Sequence, residues 1–126
     1  RYVYISRRYS ELRKMANAVE VEELMASLGF SIVYAERLSF EEKAILAHHA
    51  SFVVGQDGAG FSNLIMCRQG TTIVEMFLAK ETYFYFYPIW VLGKHNFYPL
   101  YLERTIRGWE MKIDKLKRAI TAILQG

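Results

Sequence analysis

The chain has 126 residues, the usual size of a single domain, and its 52% hydrophobic and 23% charged residues exclude a disordered or fibrous protein. A net charge of +3 is too weak to indicate nucleic-acid binding unless the charge is concentrated on one face. The single cysteine, Cys67, excludes an intrachain disulfide and a multi-cysteine metal cluster, and no apolar stretch has the length of a membrane span.

The start of the chain favours a domain that belongs to a longer protein. Arg1 is followed at once by an apolar run of strand-forming residues, with neither a methionine nor the pattern of a signal peptide. We therefore expect residues 1–126 to be one domain cut from a longer parent, and any membrane anchor of that parent to lie outside them.

The first two thirds of the chain predict strands that alternate with helices. Four strands are predicted, at residues 2–6, 31–34, 51–54 and 71–77. Three helices are predicted. One spans residues 17–28, the second begins at a capping-box pattern formed by Ser39 and Glu42, and the third spans residues 61–67. The order βαβαβαβ indicates an α/β fold, a Rossmann-like parallel sheet with helices on both faces and ligands at the carboxyl ends of the strands.

The last third of the chain is less regular. It predicts a strand at residues 97–102 and a closing helix whose apolar stripe runs from Trp109 through Leu116 to Ile120, opposite basic residues such as Lys112. We expect this helix to pack across the sheet. The aromatic block at residues 83–90 is expected in the core or at an interface, with stacking on a base or sugar as the alternative.

A glycine loop at residues 55–60, with the sequence GQDGAG, is the strongest local signal. It lies between a predicted buried strand and a predicted helix, where free backbone N–H groups and the helix dipole attract an anion such as phosphate. Its spacing matches neither the dinucleotide fingerprint nor the Walker loop, which argues against NAD binding and ATP hydrolysis. The alternative is a tight turn that requires positive φ.

A basic loop follows the first predicted strand and contains Arg7, Arg8, Arg13 and Lys14, with Glu11 as its one acid. Because the carboxyl ends of parallel strands share one edge of a sheet, the basic loop and the glycine loop are expected to converge in one crevice. The convergence predicts an anion site. For any single arginine, the alternative is an ordinary solvated loop charge.

Three further side chains bear on the chemistry. Glu75 ends the apolar run at residues 72–74, so it is predicted at the carboxyl end of a strand, where its oxygens could accept both hydroxyls of a ribose. The alternative for Glu75 is a simply solvent-facing carboxylate. Cys67 is predicted to be a small buried hydrophobic residue and not a nucleophile, and His95 has no partner at metal-ligand spacing.

The motifs follow the order found in glycosyltransferase family 61, which the chain resembles over about residues 1–102. The matching elements are Ser6-Arg7, Arg13 with Asn17 and Glu20, Gly29-Phe30, Leu38-Ser39-Phe40, Gly58-Ala59-Gly60 with Asn63, and Glu75. Two positions depart from the family pattern, because Ala18 stands where the family has a glutamate and Asp57 stands where it usually has a histidine.

The resemblance implies the carboxyl-terminal, nucleotide-sugar-binding half of a two-domain GT-B enzyme, of the type that bacteria use in capsular polysaccharide biosynthesis. It implies inverting transfer of a hexosyl or pentosyl group from a nucleotide sugar, expected to be UDP-linked, to a polysaccharide or other glycan. The acceptor would enter through a missing amino-terminal half, so we expect the isolated fragment to transfer no sugar. No cofactor, metal or nucleic acid is implied, and no residue is identified as the catalytic base. A bacterial parent is expected in the cytoplasm, where it could be membrane-associated.

In this interpretation, the donor site is formed by eight residues. Arg7, Arg13 and the backbone amides of Gly58, Ala59 and Gly60 bind the diphosphate, Asn63 supports the loop, and Glu75 binds the ribose. Asp57 completes the set, at the loop position where the family usually has a histidine.

Two other interpretations stay open at the level of the sequence. A non-catalytic member of the family could keep the fold as a ligand-binding or assembly module of a polysaccharide biosynthesis protein, and the Asp57 departure favours it. An unrelated Rossmann-like enzyme or a receiver-type regulatory domain is the other, but a receiver requires an acidic pocket at the strand ends, where this chain is basic.

Overall fold

The computed structural model describes residues 1–10, 14–56, 67–78 and 93–126. In chain order the elements are β1 (Tyr2–Ser6), α1 (Ala18–Ser27), β2 (Ser31–Tyr34), a 3₁₀ turn (Ala35–Arg37), α2 (Phe40–His49), β3 (Phe52–Gln56), β4 (Thr72–Phe77), β5 (Asn96–Tyr101), β6 (Glu103–Thr105), β7 (Gly108–Glu110) and α3 (Ile113–Gln125). The predicted alternation of strands and helices is confirmed as far as β3.

The five strands β1 to β5 form one parallel sheet, in the order β2-β1-β3-β4-β5. The chain passes from β1 to β2 on one side and then returns past β1 to β3 on the other. The direction of winding therefore reverses between β1 and β3, which is the point where open α/β sheets bind their ligands. The predicted α/β, Rossmann-like fold class is confirmed.

Helices cover both faces of this sheet, as the sequence predicts. On one face α1 and α3 pack in a core that includes Tyr4, Val54, Val74, Met25, Leu116 and Ile120. On the other face α2 packs in a second core that includes Val3, Val53, Ile73 and Ala47. Successive residues of each strand point to opposite faces, so β1, β3 and β4 supply both cores and must be apolar almost throughout.

Two helix boundaries follow from local signals that the sequence shows. After α1, Gly29 has φ of +94°, a left-handed conformation that favours glycine and ends the helix. At the start of α2, the Glu42 N–H donates to Ser39 Oγ at 3.1 Å and the Ser39 N–H donates to Glu42 Oε1 at 2.8 Å. This reciprocal pair is the predicted capping box.

The end of β3 and the place of Glu75 within β4 differ from the sequence prediction. Gly55, predicted in the glycine loop, lies in β3 and pairs with Ile5 on one side and Glu75 on the other. Glu75, predicted at the carboxyl end of the fourth strand, lies two residues before that end, because β4 runs on to the fully buried Phe77, where its predicted range also ends. The strand β3 is therefore longer at its carboxyl end than the sequence predicts.

The prediction of a closing helix that contains Trp109 is wrong. Trp109 lies in β7, the second strand of a hairpin, and α3 begins only at Ile113 after Lys112 as its N-cap residue. Gly108 has φ of +122°, and Thr105 Oγ1 accepts the Arg107 N–H at 3.1 Å, so the backbone turns where a helix would continue. The expected packing of the closing helix across the sheet is confirmed, because Leu116 and Ile120 are fully buried.

Several predictions concern positions outside the described residues. They are Arg13, the part of the glycine loop at residues 57–60, the short helix over residues 61–66 with Asn63, and the aromatic block at residues 83–90. Among the helices of the described part of the chain, none is long and apolar enough to cross a membrane.

Candidate functional site

The reversal of winding places the ends of β1 and β3 side by side. Ile5 lies opposite Gly55 in the parallel register, and each strand continues for one more residue, to Ser6 and to Gln56. The basic loop begins directly after Ser6. The structure therefore brings the start of the basic loop to the switch point of the sheet, where the fold predicts a ligand.

Arg7 is held in a tight turn at this point. The Ser10 N–H donates to the carbonyl of Arg7 at 2.9 Å, and the Arg7 guanidinium donates to Ser10 Oγ at 3.0 Å. Arg7 is half-buried. A guanidinium fixed at the end of a strand can form charged, bidentate hydrogen bonds with phosphate oxygens.

A buried carboxylate, that of Glu22 on α1, lies behind the turn. Its Oε2 accepts the Ser6 hydroxyl at 2.6 Å, and its Oε1 accepts the Tyr34 hydroxyl at 2.8 Å and the Arg8 guanidinium at 3.4 Å. Burial, followed by the hydrogen bond to Glu22, raises the pKa of Tyr34, so this phenol remains a donor at neutral pH. Burial and the nearby Glu22 charge likewise raise the pKa of Tyr4, which lies beneath the network.

Aromatic rings and guanidinium groups cover the solvent side of this network. The rings of Tyr9 and Tyr34 have centroids 5.0 Å apart, and the Arg37 guanidinium lies 4.4 Å from the Tyr9 centroid and 5.2 Å from that of Tyr34. Arg8 lies 5.4 Å from the same Tyr9 ring. These cation–π contacts link the turn after β1 to the turn after β2.

Glu75 lies one strand away from the switch point, between Gly55 of β3 and Pro99 of β5. It is fully buried, so the alternative of a solvent-facing carboxylate is wrong. Residues 72–77 alternate between the two cores, which places Glu75 on the same face as Ile73 and Phe77. Its predicted contact with a ribose stays a prediction.

The remaining predicted site residues lie outside the described part of the chain. They are Arg13, Asp57, Gly58, Ala59, Gly60 and Asn63. Of the eight predicted donor-binding residues, the structure describes Arg7 and Glu75. Arg7 directly follows β1 and Glu75 lies on β4, the two strands that flank β3.

Cys67 is buried, as predicted, and burial raises the pKa of its thiol to about 11. A thiol with that pKa is almost fully protonated at neutral pH and is a poor nucleophile. Its backbone carbonyl contacts His95 Nε2 at 3.0 Å, which fits a structural role for His95. Within residues 1–10, 14–56, 67–78 and 93–126, no group of three or more potential ligands is arranged to hold a metal ion.

The pocket between β2 and α2, of about 370 Å³, is not at the switch point. Its lining includes Arg1, Ser31 and Ala50, which lie at the amino-terminal edge of the sheet, and the apolar side chains Val33 and Ile45. The basic residues Arg7 and Arg8 lie at the other edge, directly after the end of β1. The two arginines and the topology of the sheet therefore favour the switch point over this mainly apolar pocket as the anion site.

Sequence reasoning did not find Glu22. It predicted a helix over residues 17–28 and gave Glu22 no role. One signal was present: Glu22 lies four residues after Ala18 and three before Met25, both of which are buried. A charged residue at a core-facing position indicates buried polar partners.

A five-stranded parallel sheet with helices on both faces defines a Rossmann-like α/β domain. The family model described as Glycosyltransferase 61 matches residues 1–74, more than half of the chain. The chain therefore belongs to glycosyltransferase family 61 and is a glycosyltransferase domain, whose substrates are a sugar donor and an acceptor. Comparison with curated proteins and with solved structures gave no match.

Proposed function

We propose that this domain binds the nucleotide sugar of an inverting glycosyltransferase, with the diphosphate at the switch point between β1 and β3. Membership of the family supports the reaction class. The observation that carries the proposal is the position of Arg7, fixed in a turn directly after the end of β1. Without a metal, guanidinium groups and backbone amides would stabilise the charge that grows on the departing nucleoside diphosphate.

The rest of the proposed site keeps the roles that the resemblance implies. Arg13 and the amides of residues 58–60 share the diphosphate with Arg7, Asn63 supports their loop, and Asp57 lies beside the donor. Glu75 binds the ribose from β4. Because Glu75 is fully buried, this role requires the ribose to reach a buried side chain near the carboxyl end of that strand. The nucleotide is taken to be uridine diphosphate.

The acceptor side belongs to the same proposal. The domain would act as the carboxyl-terminal half of a GT-B enzyme in polysaccharide biosynthesis, at the cytoplasmic side in a bacterium, with the acceptor glycan bound by the other half. Because the donor lies between two halves in that architecture, we expect this domain alone to bind UDP weakly and to transfer no sugar.

Calorimetry with UDP tests the donor site. The wild-type domain is expected to bind UDP, and Arg7→Ala is expected to weaken binding about 10- to 100-fold, because a charged hydrogen bond contributes roughly 1.5–3 kcal/mol. Arg68→Ala is the matched control. Arg68 is an exposed arginine just before β4, at the amino-terminal edge of the sheet, so its loss is expected to leave UDP binding unchanged.

Equal affinities of the wild type and Arg7→Ala would contradict the site. No detectable UDP binding by the wild type, with inorganic pyrophosphate and other nucleoside diphosphates also inert, would contradict donor binding itself.

A non-catalytic module is the second candidate function, and the presence of Asp57 in place of the family's usual histidine favours it. A carboxylate about 4 Å from a phosphate would repel it by roughly 4 kcal/mol at an effective dielectric of 20. Turnover of a UDP-sugar by the two-domain protein separates the candidates, because a module would bind the nucleotide without releasing UDP from the sugar.

A further inference from the structure

Glu22 is a charged residue on the core-facing side of α1. Ala18, Val21 and Met25 are buried on that side, and Glu22 itself is only 8% exposed. A carboxylate at such a position destabilises the fold unless polar partners surround it. The identity of those partners indicates what the position does.

The partners of Glu22 come from the ends of two neighbouring strands at the carboxyl edge of the sheet. Ser6 and Arg8 belong to the end of β1 and the turn after it, and Tyr34 is the last residue of β2. The Ser6 hydroxyl, which donates to Glu22, also accepts the backbone N–H of Arg8 at 3.0 Å. One carboxylate therefore ties the turn after β1 to the end of the neighbouring strand.

Arg7 lies between the two tied residues of this turn. Its preceding neighbour, Ser6, donates its hydroxyl to Glu22. Its following neighbour, Arg8, donates its guanidinium to Glu22 and its backbone N–H to Ser6 Oγ. The backbone of Arg7 is thereby fixed on both sides, and the cation–π contacts of Arg8 and Arg37 with Tyr9 hold the outer side of the same turn. Buried polar networks of this kind contribute rigidity more than net stability.

We infer that Glu22 is a positioning residue, which does not touch the ligand but holds Arg7 at the switch point in the geometry that receives the donor diphosphate. The inference rests on the proposed function, because it concerns the same donor site. It assigns the two adjacent arginines different tasks: Arg8 neutralises the buried carboxylate and holds the turn, while Arg7 binds the diphosphate.

Glu22→Gln tests the inference by removing the charge and one acceptor oxygen while keeping the shape of the side chain. UDP affinity, measured by calorimetry on this chain, is expected to fall about 10- to 100-fold, the range typical when a residue that orients a ligand-binding side chain is replaced. Glu23→Gln, the same change on the exposed side of the same helix, is the control and is expected to leave affinity unchanged.

A double-mutant cycle distinguishes positioning from a merely structural role. If Glu22 acts through Arg7, then Glu22→Gln combined with Arg7→Ala is expected to bind UDP no more weakly than Arg7→Ala alone. Losses that add in the double variant would overturn the inference. Should Glu22→Gln fail to fold, Tyr34→Phe replaces it in the same double-mutant cycle. This change removes one hydrogen-bond donor to Glu22 and keeps the aromatic ring, so a smaller loss of UDP affinity is expected.

Hydrogen exchange measured without ligand tests whether Glu22 holds the turn after β1. The Arg8 amide is expected to exchange about tenfold faster in Glu22→Gln than in the wild type, while amides in the middle of β3 keep their protection. Unchanged exchange at Arg8, in a protein whose wild type binds UDP, would overturn the inference and leave the proposed function intact. Absence of UDP binding by the wild type would instead overturn the proposed function, and with it the task assigned to Arg7.

Discussion

Shortening Leu116 to alanine is expected to lower the free energy of unfolding by about 2–5 kcal/mol, the cost of a cavity in a well-packed core. Leu116 is fully buried on α3 and belongs to the same core as Tyr4 and Val54 of the central strands. Chemical denaturation followed by circular dichroism measures the change. Because this residue lies far beyond the part that matches the family model, the result also shows whether the carboxyl-terminal helix is integral to the domain.

Leu124→Ala is the matched control for Leu116. Leu124 lies on the same helix and is 37% exposed, so its truncation is expected to cost about 1 kcal/mol or less. Equal, small losses at both positions would mean that α3 does not pack on the sheet as described.

Replacing Asn17 by alanine is expected to lower the free energy of unfolding by about 2–6 kcal/mol. The buried Asn17 amide donates to the Met111 carbonyl at 2.8 Å, and its carbonyl oxygen accepts the Met111 N–H at 3.2 Å. Alanine would leave both backbone groups of Met111 buried without partners, which costs roughly 1–3 kcal/mol for each group. Thermal and denaturant unfolding of the two proteins measure the difference.

Asn96→Ala provides the comparison, because the Asn96 amide makes one exposed hydrogen bond, to the Gly70 carbonyl at 3.2 Å. Its loss is expected to cost less than about 1 kcal/mol. A loss at Asn17 as small as that at Asn96 would show that the segment before α3 is not held to the start of α1 in this way.

The part of the fold that the sequence predicts well is the part where local signals agree. In β1 and β3, unbroken apolar runs match strands that are buried on both faces. Gly29 and the Ser39 capping box mark helix boundaries through backbone conformation and side-chain hydrogen bonds that need no tertiary context. Such signals act over four residues or fewer, so they can be read directly from the chain.

The errors arise where pairing between strands decides the outcome. Gly55 resembles the start of a loop because a glycine follows an apolar run, yet β3 continues because β1 and β4 pair with it on both sides. Trp109 fits a helical stripe by spacing alone, yet the turn before Gly108 turns the chain into a hairpin. Register and hairpin formation depend on residues distant in the sequence or on a single glycine, which periodicity does not capture.

The residues of the candidate site could likewise be predicted only in part. The position of Arg7 at the switch point could be predicted, because a basic residue directly after the first strand of a parallel sheet must lie at its carboxyl edge. The task of Glu22 could not, since it depends on Tyr34 and Arg8, residues that come together only in the folded sheet. In the sequence Glu22 is one of several acidic residues on a helix.

The most direct test of the central claim is a titration of the isotope-labelled domain with UDP, followed through its backbone amide signals. We predict that the signals that move belong to the switch point, at residues 6–8 after β1 and at Gln56 at the end of β3. Signals from the amino-terminal edge, such as Ser31 and the Arg68 control, are predicted to stay in place. Movement confined to the pocket around Ser31 and Ala50, or none at all at saturating UDP, would contradict the assignment of the donor site.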